Sequence, residues 1–446
     1  MHAGGQACAA TIAWQACAAT GLARGPQIAM DAQPRMLGRG AQCKVLACTW
    51  LGTTVQVTKR GKGLTVQHGS EIAVKCPFAA SDTDVSPSDT PRKLLWESQI
   101  LERIRDRSLP NLMHYIDFDP QRIQLCLPRM HGGTVNEYFT PKKDHRRHPR
   151  YLDYGNPEQG KLLHKLVCCV LTATFRGLDA LHGMGCAHRD LKMDNLLLRH
   201  EPSSSEFGIE SVVLCDFGYS ICDGINTDEA RRDFPGTLPY TAPEVLGART
   251  LRRKAVTRVL DSMITFATDR PGAVALLSEL EGIKKKLQRM KKDPHKLSDN
   301  TALDRARDAA QCDGEAVRAF QEASRVHMGE INQLMASANR KAADIYSSAI
   351  LIWMLCHDQN AFPFPKLQHG GESGWETKLK TMRPELSSRS VPACLSRLFR
   401  RMVDENVLES AWKTEPEDRP SAKQLLDSVM QIIGRVPWVD GPVRVM

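Results

Sequence analysis

The sequence predicts an α+β protein whose strands lie mainly before residue 130 and whose helices lie mainly after it. The strand prediction rests on the run at 71–76, in which three consecutive apolar residues precede a lysine. Residues 93–104 place apolar side chains at helical spacing, and further helices are predicted at 160–182, which is amphipathic, and at 349–355, which is apolar. These patterns indicate a region built on a sheet, followed by a larger and mainly helical region.

The composition is that of a soluble globular protein, with 42% hydrophobic and 25% charged residues. The 14 cysteines lack the paired spacing of zinc sites, which favours reduced thiols over a disulfide framework. No uncharged apolar run is long enough to cross a bilayer, so we expect no membrane span. Much of the net charge of +9 lies in three short basic runs, and a solvated surface explains these better than a nucleic-acid partner.

The two ends of the chain are predicted to lie outside the folded domain. Residues 1–32 are rich in Ala and Cys and contain a short repeat, which indicates a flexible leader. Residues 435–446 form a C-terminal tail. The folded domain is expected at 33–434, divided into 33–130 and 131–434.

The most informative segment runs from His188 to Asn195 and has the sequence His-Arg-Asp-Leu-Lys-Met-Asp-Asn. It combines a carboxylate at Asp190, a cation at Lys192 and an amide at Asn195. Phosphoryl transfer needs such groups, because its rate comes from placing an acceptor hydroxyl in line with a phosphate while charge is neutralised. The segment is therefore compatible with a phosphoryl-transfer site.

This segment resembles the catalytic loop of the eukaryotic-type serine/threonine protein kinase family. The resemblance implies that Asp190 accepts the proton of a substrate hydroxyl, that Lys192 lies beside the transferring group and that Asn195 holds Mg²⁺. It also implies a bilobal fold, with a small lobe made of an antiparallel sheet and a regulatory helix. The large, mainly helical lobe then carries a long helical insertion.

Further motifs occur in the order that this family uses. Asp216-Phe217-Gly218 ends an apolar strand and is similar to the segment whose Asp holds a second metal contact. Gly236-Thr237 precedes Ala242-Pro243-Glu244, and the resemblance implies that Thr237 bonds toward Asp190 and Lys192. It also implies that Glu244 pairs with Arg419, and that Asp344 bonds to the backbone of the catalytic loop.

The resemblance also assigns an ATP site within residues 33–130. Lys75 would bind the α and β phosphates, and Glu97 would be its partner. A Gly-rich loop, which departs from the family pattern because Cys43 replaces its third glycine, would approach the phosphates, while a hinge segment and Leu197 would contact adenine. The candidate nucleotide-binding residues are Leu37, Gly38, Arg39, Gly40, Ala41, Gln42, Cys43, Val45, Ala73, Lys75, Leu127, Pro128, Met130 and Leu197.

Glu244 and Asp344 are a hundred residues apart, which is several times what the family's connection needs. An insertion at about 249–340 is therefore predicted. Apolar residues at 276–290 and 317–334 fall on two helical stripes separated by Asp299-Asn300-Thr301. These stripes predict a helical hairpin, which could bind a protein partner.

These motifs together imply transfer of the γ-phosphoryl group of ATP to Ser or Thr of a protein substrate, with Mg²⁺ as cofactor. Lys192 and Thr237 favour Ser and Thr over Tyr as acceptors. An alternative is a pseudokinase scaffold that acts through its insertion, which Cys43 motivates. A small-molecule kinase is a third hypothesis, but it has no reason to carry the Glu244 motif or Arg419. We expect the protein in the cytoplasm, with the nucleus as the alternative.

Arg189 directly precedes Asp190. Kinases with Arg at this position usually need an anion to neutralise it, and that anion lies in the activation segment, between the Asp-Phe-Gly and Ala-Pro-Glu motifs. The corresponding position is Asp233, three residues before Gly236. A carboxylate carries less charge than a phosphate, so Asp233 is predicted to order the segment only in part. The alternative is a solvated loop carboxylate without a functional contact, which the neighbouring Arg231 and Arg232 could satisfy locally.

Overall fold

The fold is taken from a computed structural model of the chain. The structure describes residues 28–29, 35–39, 43–57, 65–78, 89–140, 150–153, 156–225, 236–289, 299–337, 340–357, 363–364, 378–379, 382–387 and 390–436. Two compact units are present. The first contains residues up to 108 together with 113–129, and the second contains 109–112 together with all residues from 130 onward.

The first unit is built on a six-stranded antiparallel sheet and one long helix. Its elements are β1 (Ile28–Ala29), β2 (Met36–Arg39), β3 (Cys43–Trp50), β4 (Val55–Gln56), β5 (Thr65–Val66), β6 (Glu71–Pro77), α1 (Asp89–Arg107), β7 (Asp117–Asp119) and β8 (Gln124–Pro128). The strand order is β1-β3-β6-β8-β7, and β2 also pairs with β3. Strands β4 and β5 form a separate hairpin, whose predicted tip at 58–64 lies outside the described residues.

Alternate side chains of strands β3 and β6 point to the same face of the sheet and form the core of the first unit. Leu46 and Cys48 on β3 face Val74 and Ile72 on β6, and all four are buried in one apolar cluster. Because successive side chains on a strand point to opposite faces, Lys75 lies on the other face of β6. The core therefore fixes the register that presents this lysine.

Ordered structure begins earlier than the predicted boundary at residue 33. Ile28 and Ala29 pair with Trp50 and Thr49 and add a strand to the sheet. Two residues are too short to give a periodic pattern, so the sequence could not distinguish this strand from the leader. The rest of the predicted leader, residues 1–27 and 30–32, and the end of the predicted tail, 437–446, lie outside the described residues.

The described part of the second unit is mainly helical and carries two small sheets. Its first elements are β9 (Gly133–Thr134), α2 (Asn136–Phe139), α3 (Pro157–Gly183), β10 (Cys186–Ala187), β11 (Leu196–Leu198), β12 (Val212–Leu214) and β13 (Ile221–Cys222). The later helices are α4 (Pro243–Thr268), α5 (Val274–Arg289), α6 (Asp299–Ala310), α7 (Gly314–Ser337), α8 (Arg340–Cys356), α9 (Ala393–Asp404), α10 (Val407–Ala411) and α11 (Ala422–Arg435).

Helix α3 lies at the centre of this unit. It packs against α11, α9, α8 and strand β12, and Asn156 caps its first turn by accepting from the backbone of Glu158 and Gln159. Its residues Glu158–Gly183 are long and apolar enough to cross a membrane by length and composition alone, but 72% of the apolar window is buried inside the protein. This burial is that of a core helix.

Within the described residues, the predicted insertion forms a bundle of four helices rather than the predicted hairpin. Helix α4 begins at Pro243, before the predicted start at 249, and continues into the bundle without a break. The second correction concerns Asp299, which begins helix α6 instead of separating two helices. Asp, Asn and Thr are also the residues that commonly begin helices, so the segment 299–301 was compatible with both structures.

The bundle has an apolar core of its own. The buried apolar side chains of this core all lie between Ala255 and Ile331. They come from helices α4, α5, α6 and α7. Helices α4 and α7 are antiparallel, because Ser262 contacts His327 while the later Arg270 pairs with the earlier Asp313. The chain therefore enters and leaves the bundle at the same end.

We predict that the chain folds without most of the bundle. Replacing residues 255–335 by a short Gly-Ser linker should leave one cooperative unfolding transition, because the removed residues bury their apolar side chains mainly against one another. Circular dichroism and thermal denaturation, with the full chain as the reference, would measure this. Aggregation or a loss of cooperative unfolding would show that the bundle supports the rest of the second unit.

Candidate functional site

In the first unit, Lys75 and Glu97 form a buried ion pair. The Nζ of Lys75 lies 2.7 Å from Oε2 of Glu97, and the two side chains are 12% and 3% exposed. Strand β6 presents the lysine, and helix α1 presents the glutamate beside the buried Ile100 and Leu101. Two charges removed from water are stable only when they are paired, so each residue fixes the other. The predicted partnership is present.

The Gly-rich segment lies on the first two long strands of the sheet. Leu37, Gly38 and Arg39 belong to β2, and Cys43 and Val45 belong to β3. A Cβ added to Gly38 would meet nothing within 4 Å, so no packing requires glycine there. The remaining predicted members, Gly40, Ala41 and Gln42, lie outside the described residues.

The predicted adenine-contacting residues lie on ordered elements of both units. Ala73 and Leu127 are register partners across β6 and β8, and Pro128 ends β8. Met130 is a buried residue of the second unit. Leu197 lies on β11, opposite Val213 of β12 and Thr134 of β9. Their contact with a nucleotide stays a prediction.

In the second unit, the carboxylate of Asp190 is bonded by three side chains of the predicted site. Lys192 donates to Oδ2 at 2.7 Å, Thr237 donates to Oδ1 at 2.8 Å and the amide of Asn195 donates to Oδ2 at 3.2 Å. Asn195 also donates to the Asp190 backbone carbonyl at 2.7 Å. Thr237 is 47 residues from Asp190 in sequence, and its hydroxyl also accepts from Lys192 at 3.0 Å. The sequence predicted both Thr237 contacts.

Lys192 stays a cation in this environment. Partial burial opposes the charged ammonium, but the nearby carboxylates of Asp190, Asp216 and Asp194 outweigh it and raise the pKa of Lys192 above its ordinary value. The ammonium group is therefore charged at neutral pH, beside the carboxylate that is predicted to orient the acceptor hydroxyl.

Asp344 stabilises the backbone of the catalytic loop through hydrogen bonds to its first residues. Its fully buried carboxylate accepts from the backbone N–H of His188 at 2.8 Å and of Arg189 at 2.7 Å. His182, at the end of α3, also contacts Oδ2 through Nε2 at 2.9 Å. Burial opposes the ionised form, but the contacts with His182 and the loop lower the pKa of Asp344 below its ordinary value.

His182 was missed by the sequence analysis. Its contact depends on a residue 162 positions later in the chain, so local pattern carries no sign of it. The only available indication was its position at the end of the helix that leads into the catalytic loop.

Asp216 and Asn195 are the candidate metal ligands. Asp216 has a left-handed backbone with φ of 66°, a conformation that is costly for a residue other than glycine. The following Phe217 is buried and packs edge-on against His188, with ring centroids 5.5 Å apart. Because the amide nitrogen of Asn195 donates to Asp190, its amide oxygen is the atom that can bind a cation.

The donor set fits Mg²⁺. A carboxylate and an amide oxygen are hard ligands, and Mg²⁺ typically takes one or two protein groups together with phosphates and water. Among the described residues, no cluster of three or more His, Cys, Asp or Glu side chains could hold a metal. The site therefore resembles one that shares its metal with a bound phosphate more than a protein cage.

Glu244 and Arg419 form the predicted pair. The guanidinium donates to the two carboxylate oxygens at 2.6 and 2.9 Å, in the two-bond geometry that favours Arg over Lys. Arg419 is buried and also donates to three backbone carbonyls, those of Ala342, Lys413 and Thr414. This pair joins the start of α4 to the segment before α11.

Strands β10 and β13 connect the catalytic loop to the segment after Gly218. Cys186 and Cys222 face each other across these strands, and their sulfur atoms are in contact. The pairing of two strands 36 residues apart sets this contact, and no local cysteine spacing reveals it. Arg189 donates to the carbonyl of Tyr219 at 3.3 Å, and its predicted partner Asp233 lies outside the described residues.

Comparisons with known proteins agree with this geometry. A sequence model described as "protein kinase domain" matches residues 35–261, just over half of the chain. Myosin light chain kinase A of Dictyostelium discoideum is 27% identical over 212 residues, which cover 48% of this chain and 57% of that protein. Serine/threonine-protein kinase UCN of Arabidopsis thaliana is 31% identical over 135 residues, covering 29% of this chain and 30% of that protein.

The similarity spans only part of each relative. Human serine/threonine-protein kinase D2 is 28% identical over 178 residues, which cover 40% of this chain but 17% of that protein. The chain therefore covers about half of the first of these relatives and less of the other two.

We predict that Asp344→Asn destabilises the protein by about 1–3 kcal/mol at pH 7, because an amide cannot accept all the bonds that the carboxylate accepts. The pKa of Asp344 is lowered on folding, so the ionised group stabilises the fold fully above its ordinary value of 3.8 and loses this effect as the pH falls through the lower folded value. The difference between the two proteins should be constant from pH 5 to 8 and shrink below about pH 4.

Urea denaturation at several pH values would measure this difference. Asp427→Asn is the matched control, because Asp427 is an exposed helical residue paired only at the surface with Lys423. It should show no measurable loss of stability. Equal effects of the two substitutions would contradict the structural role assigned to Asp344.

Proposed function

The chain belongs to the protein kinase family, and we propose that it is an active enzyme that transfers the γ-phosphoryl group of ATP to Ser or Thr hydroxyls of protein substrates. The observation that carries this proposal is the bonding of Asp190 to Lys192, Thr237 and Asn195. These contacts support the roles that the motifs imply for these residues.

Asp190 is the candidate base and orienting group. Its carboxylate is held from two sides, by Thr237 at Oδ1 and by Lys192 at Oδ2, so its orientation is restricted before substrate binds. A fixed carboxylate can accept the proton of an acceptor hydroxyl and aim the oxygen, which is where a kinase gains much of its rate. Lys192 adds a positive charge next to the position where phosphate charge must be stabilised.

Lys75 is the candidate ligand of the ATP phosphates. Glu97 restricts its ammonium group at 2.7 Å, within a largely buried environment. The paired arrangement is the one that active kinases require of these two residues. We propose Mg²⁺ as the metal, bound through Asp216 and the amide oxygen of Asn195, where it would neutralise phosphate charge.

Acceptor specificity rests on two residues. Lys192 follows Asp190 by two positions, and Thr237 bridges both of them through its hydroxyl. This pattern is typical of kinases that act on Ser and Thr, and relatives that carry the name serine/threonine-protein kinase support the same choice at low identity. Phosphoamino-acid analysis of the product would test it.

The two alternatives to a protein kinase lack support. A pseudokinase scaffold typically loses one of the charged residues of the site, whereas Lys75, Glu97, Asp190, Asn195 and Asp216 are all present, and the first two are paired. A small-molecule kinase has no need of the Glu244–Arg419 pair, which this structure contains.

Two further proposals concern the setting of the enzyme. We propose that the bundle formed by α4, α5, α6 and α7 binds a protein partner, because it has its own core and presents faces that the predicted chemistry does not use. We also propose a cytoplasmic or nuclear location. Co-purification with the full chain and with the 255–335 deletion would test the first, and fractionation of cells the second.

We predict that Asp190→Asn lowers phosphoryl transfer by about 10²- to 10⁴-fold, because the amide keeps the shape of the side chain but cannot accept a proton. Lys75→Ala and Asp216→Ala should each cost on the order of 10²-fold or more by removing charge stabilisation. Transfer of ³²P from ATP to a generic basic protein in the presence of Mg²⁺ would measure each rate.

Lys254→Ala is the matched control, since Lys254 is an exposed residue of α4. It should transfer at the rate of the unmodified chain, and Asp190→Asn should keep the melting temperature of the unmodified chain within a few degrees. Full activity of Asp190→Asn or Lys75→Ala would refute the proposed function.

A further inference from the structure

Arg249 is a residue of α4 that no catalytic motif includes, and it bonds directly to the segment that holds Thr237. Its Nη2 donates to the carbonyl of Gly236 at 2.7 Å. The side chain is half-buried, and its position lies six residues after the start of α4 at Pro243. The bond spans 13 residues and so closes the turn between Gly236 and the helix.

The bonded carbonyl belongs to the same rigid peptide plane as the backbone nitrogen of Thr237. Fixing this plane restricts the backbone of Thr237 and, with it, the direction of the hydroxyl. That hydroxyl donates to Asp190 at 2.8 Å and accepts from Lys192 at 3.0 Å. Arg249 is therefore one peptide plane away from the residue that restricts the catalytic carboxylate.

The flexibility of Gly236 gives the bond from Arg249 a restraining role. Gly236 has φ of 134°, a conformation that other residues rarely adopt, and a Cβ there would come within 2.8 Å of the Thr241 hydroxyl. Glycine is needed to make the turn, but it also permits the widest range of backbone angles. The guanidinium of Arg249, by donating to the carbonyl of Gly236, restricts the peptide bond between Gly236 and Thr237.

Helix α4 is held by other contacts both before and after Arg249. Before it, Glu244 is paired with the buried Arg419. After it, Ala255 and Val256 are buried in the core of the bundle, less than two turns further along the same helix. The guanidinium is thus carried on a helix that is fixed on either side of it.

We propose that Arg249 is a positioning residue for phosphoryl transfer: it holds the Gly236–Thr237 peptide so that Thr237 keeps Asp190 aimed at the acceptor hydroxyl. This inference rests on the proposed function. It connects the first helix of the bundle to the catalytic carboxylate through one side chain and one peptide plane.

A double-mutant cycle on the full chain tests the inference. Arg249→Ala should lower kcat about tenfold and leave the KM for ATP within about twofold, because a misplaced catalytic group slows chemistry without removing a nucleotide contact. Arg249→Lys should recover part of the loss, since an ammonium can donate one bond to the carbonyl. Arg258→Ala, which changes an exposed arginine of the same helix, should leave both constants unchanged.

The Thr237→Ala background separates positioning from simple support of the fold. If Arg249 acts through Thr237, Arg249→Ala should cost less than about twofold once the hydroxyl is gone. A kcat equal to that of the unmodified chain, or a tenfold loss that persists in the Thr237→Ala background, would overturn the inference. If Arg249→Ala does not fold, the cycle is run with Arg249→Lys and judged by the same comparison.

The control variants separate this inference from the proposed function. An unmodified chain that is no more active than Asp190→Asn overturns the proposed function and the inference together. Activity in the unmodified chain and in Arg258→Ala, combined with no effect of Arg249→Ala, overturns the inference alone.

Discussion

A buried carboxylate, Asp344, determines the shape of the catalytic loop on which the rest of the site depends. It accepts two consecutive backbone N–H groups, from His188 and Arg189, directly after strand β10 ends at Ala187. Arg189 has φ of 72°, so the loop turns through a left-handed residue that needs outside support. The contact with His182 keeps the carboxylate ionised despite its burial, and so it keeps both bonds.

The polar side chains of the site hold one another in position. Lys192, Thr237 and Asn195 each bond to Asp190, so that moving any one of them disturbs the others. Asp216 adds a second left-handed residue, followed by Phe217 packed on His188. Strained backbone is tolerated where the surrounding contacts over-determine it, and here the strained residues flank the groups that are predicted to do chemistry.

Much of the site was predictable from the sequence because its residues occur in short motifs of fixed spacing. The pairs Lys75–Glu97 and Glu244–Arg419, and the bonds of Asp344, are present in the structure as the motifs implied. These contacts join distant segments, and only the resemblance to a family supplied the pairing. His182 and Arg249 were missed because they make equivalent contacts from outside any motif.

The insertion was harder to predict for a different reason. Ala302, Ala306 and Ala310 form the buried face of α6, and alanine is too common on exposed helix faces to mark a core. The stripes at 276–290 and 317–334 were visible because they contain large apolar residues such as Leu280, Ile283 and Ile331, all of which are buried. A pattern built on large side chains therefore found two of the four helices.

The continuity of α4 gives the bundle a mechanical relation to the site that a docked hairpin would lack. A hairpin joined by loops could move without affecting Glu244, whereas here Glu244, Arg249 and Ala255 belong to one helix. Successive turns of a helix move together because each backbone bond spans four residues. Any binding event that displaces the first turns of the bundle would therefore act on Arg249, and through the Gly236 carbonyl on the peptide that carries Thr237.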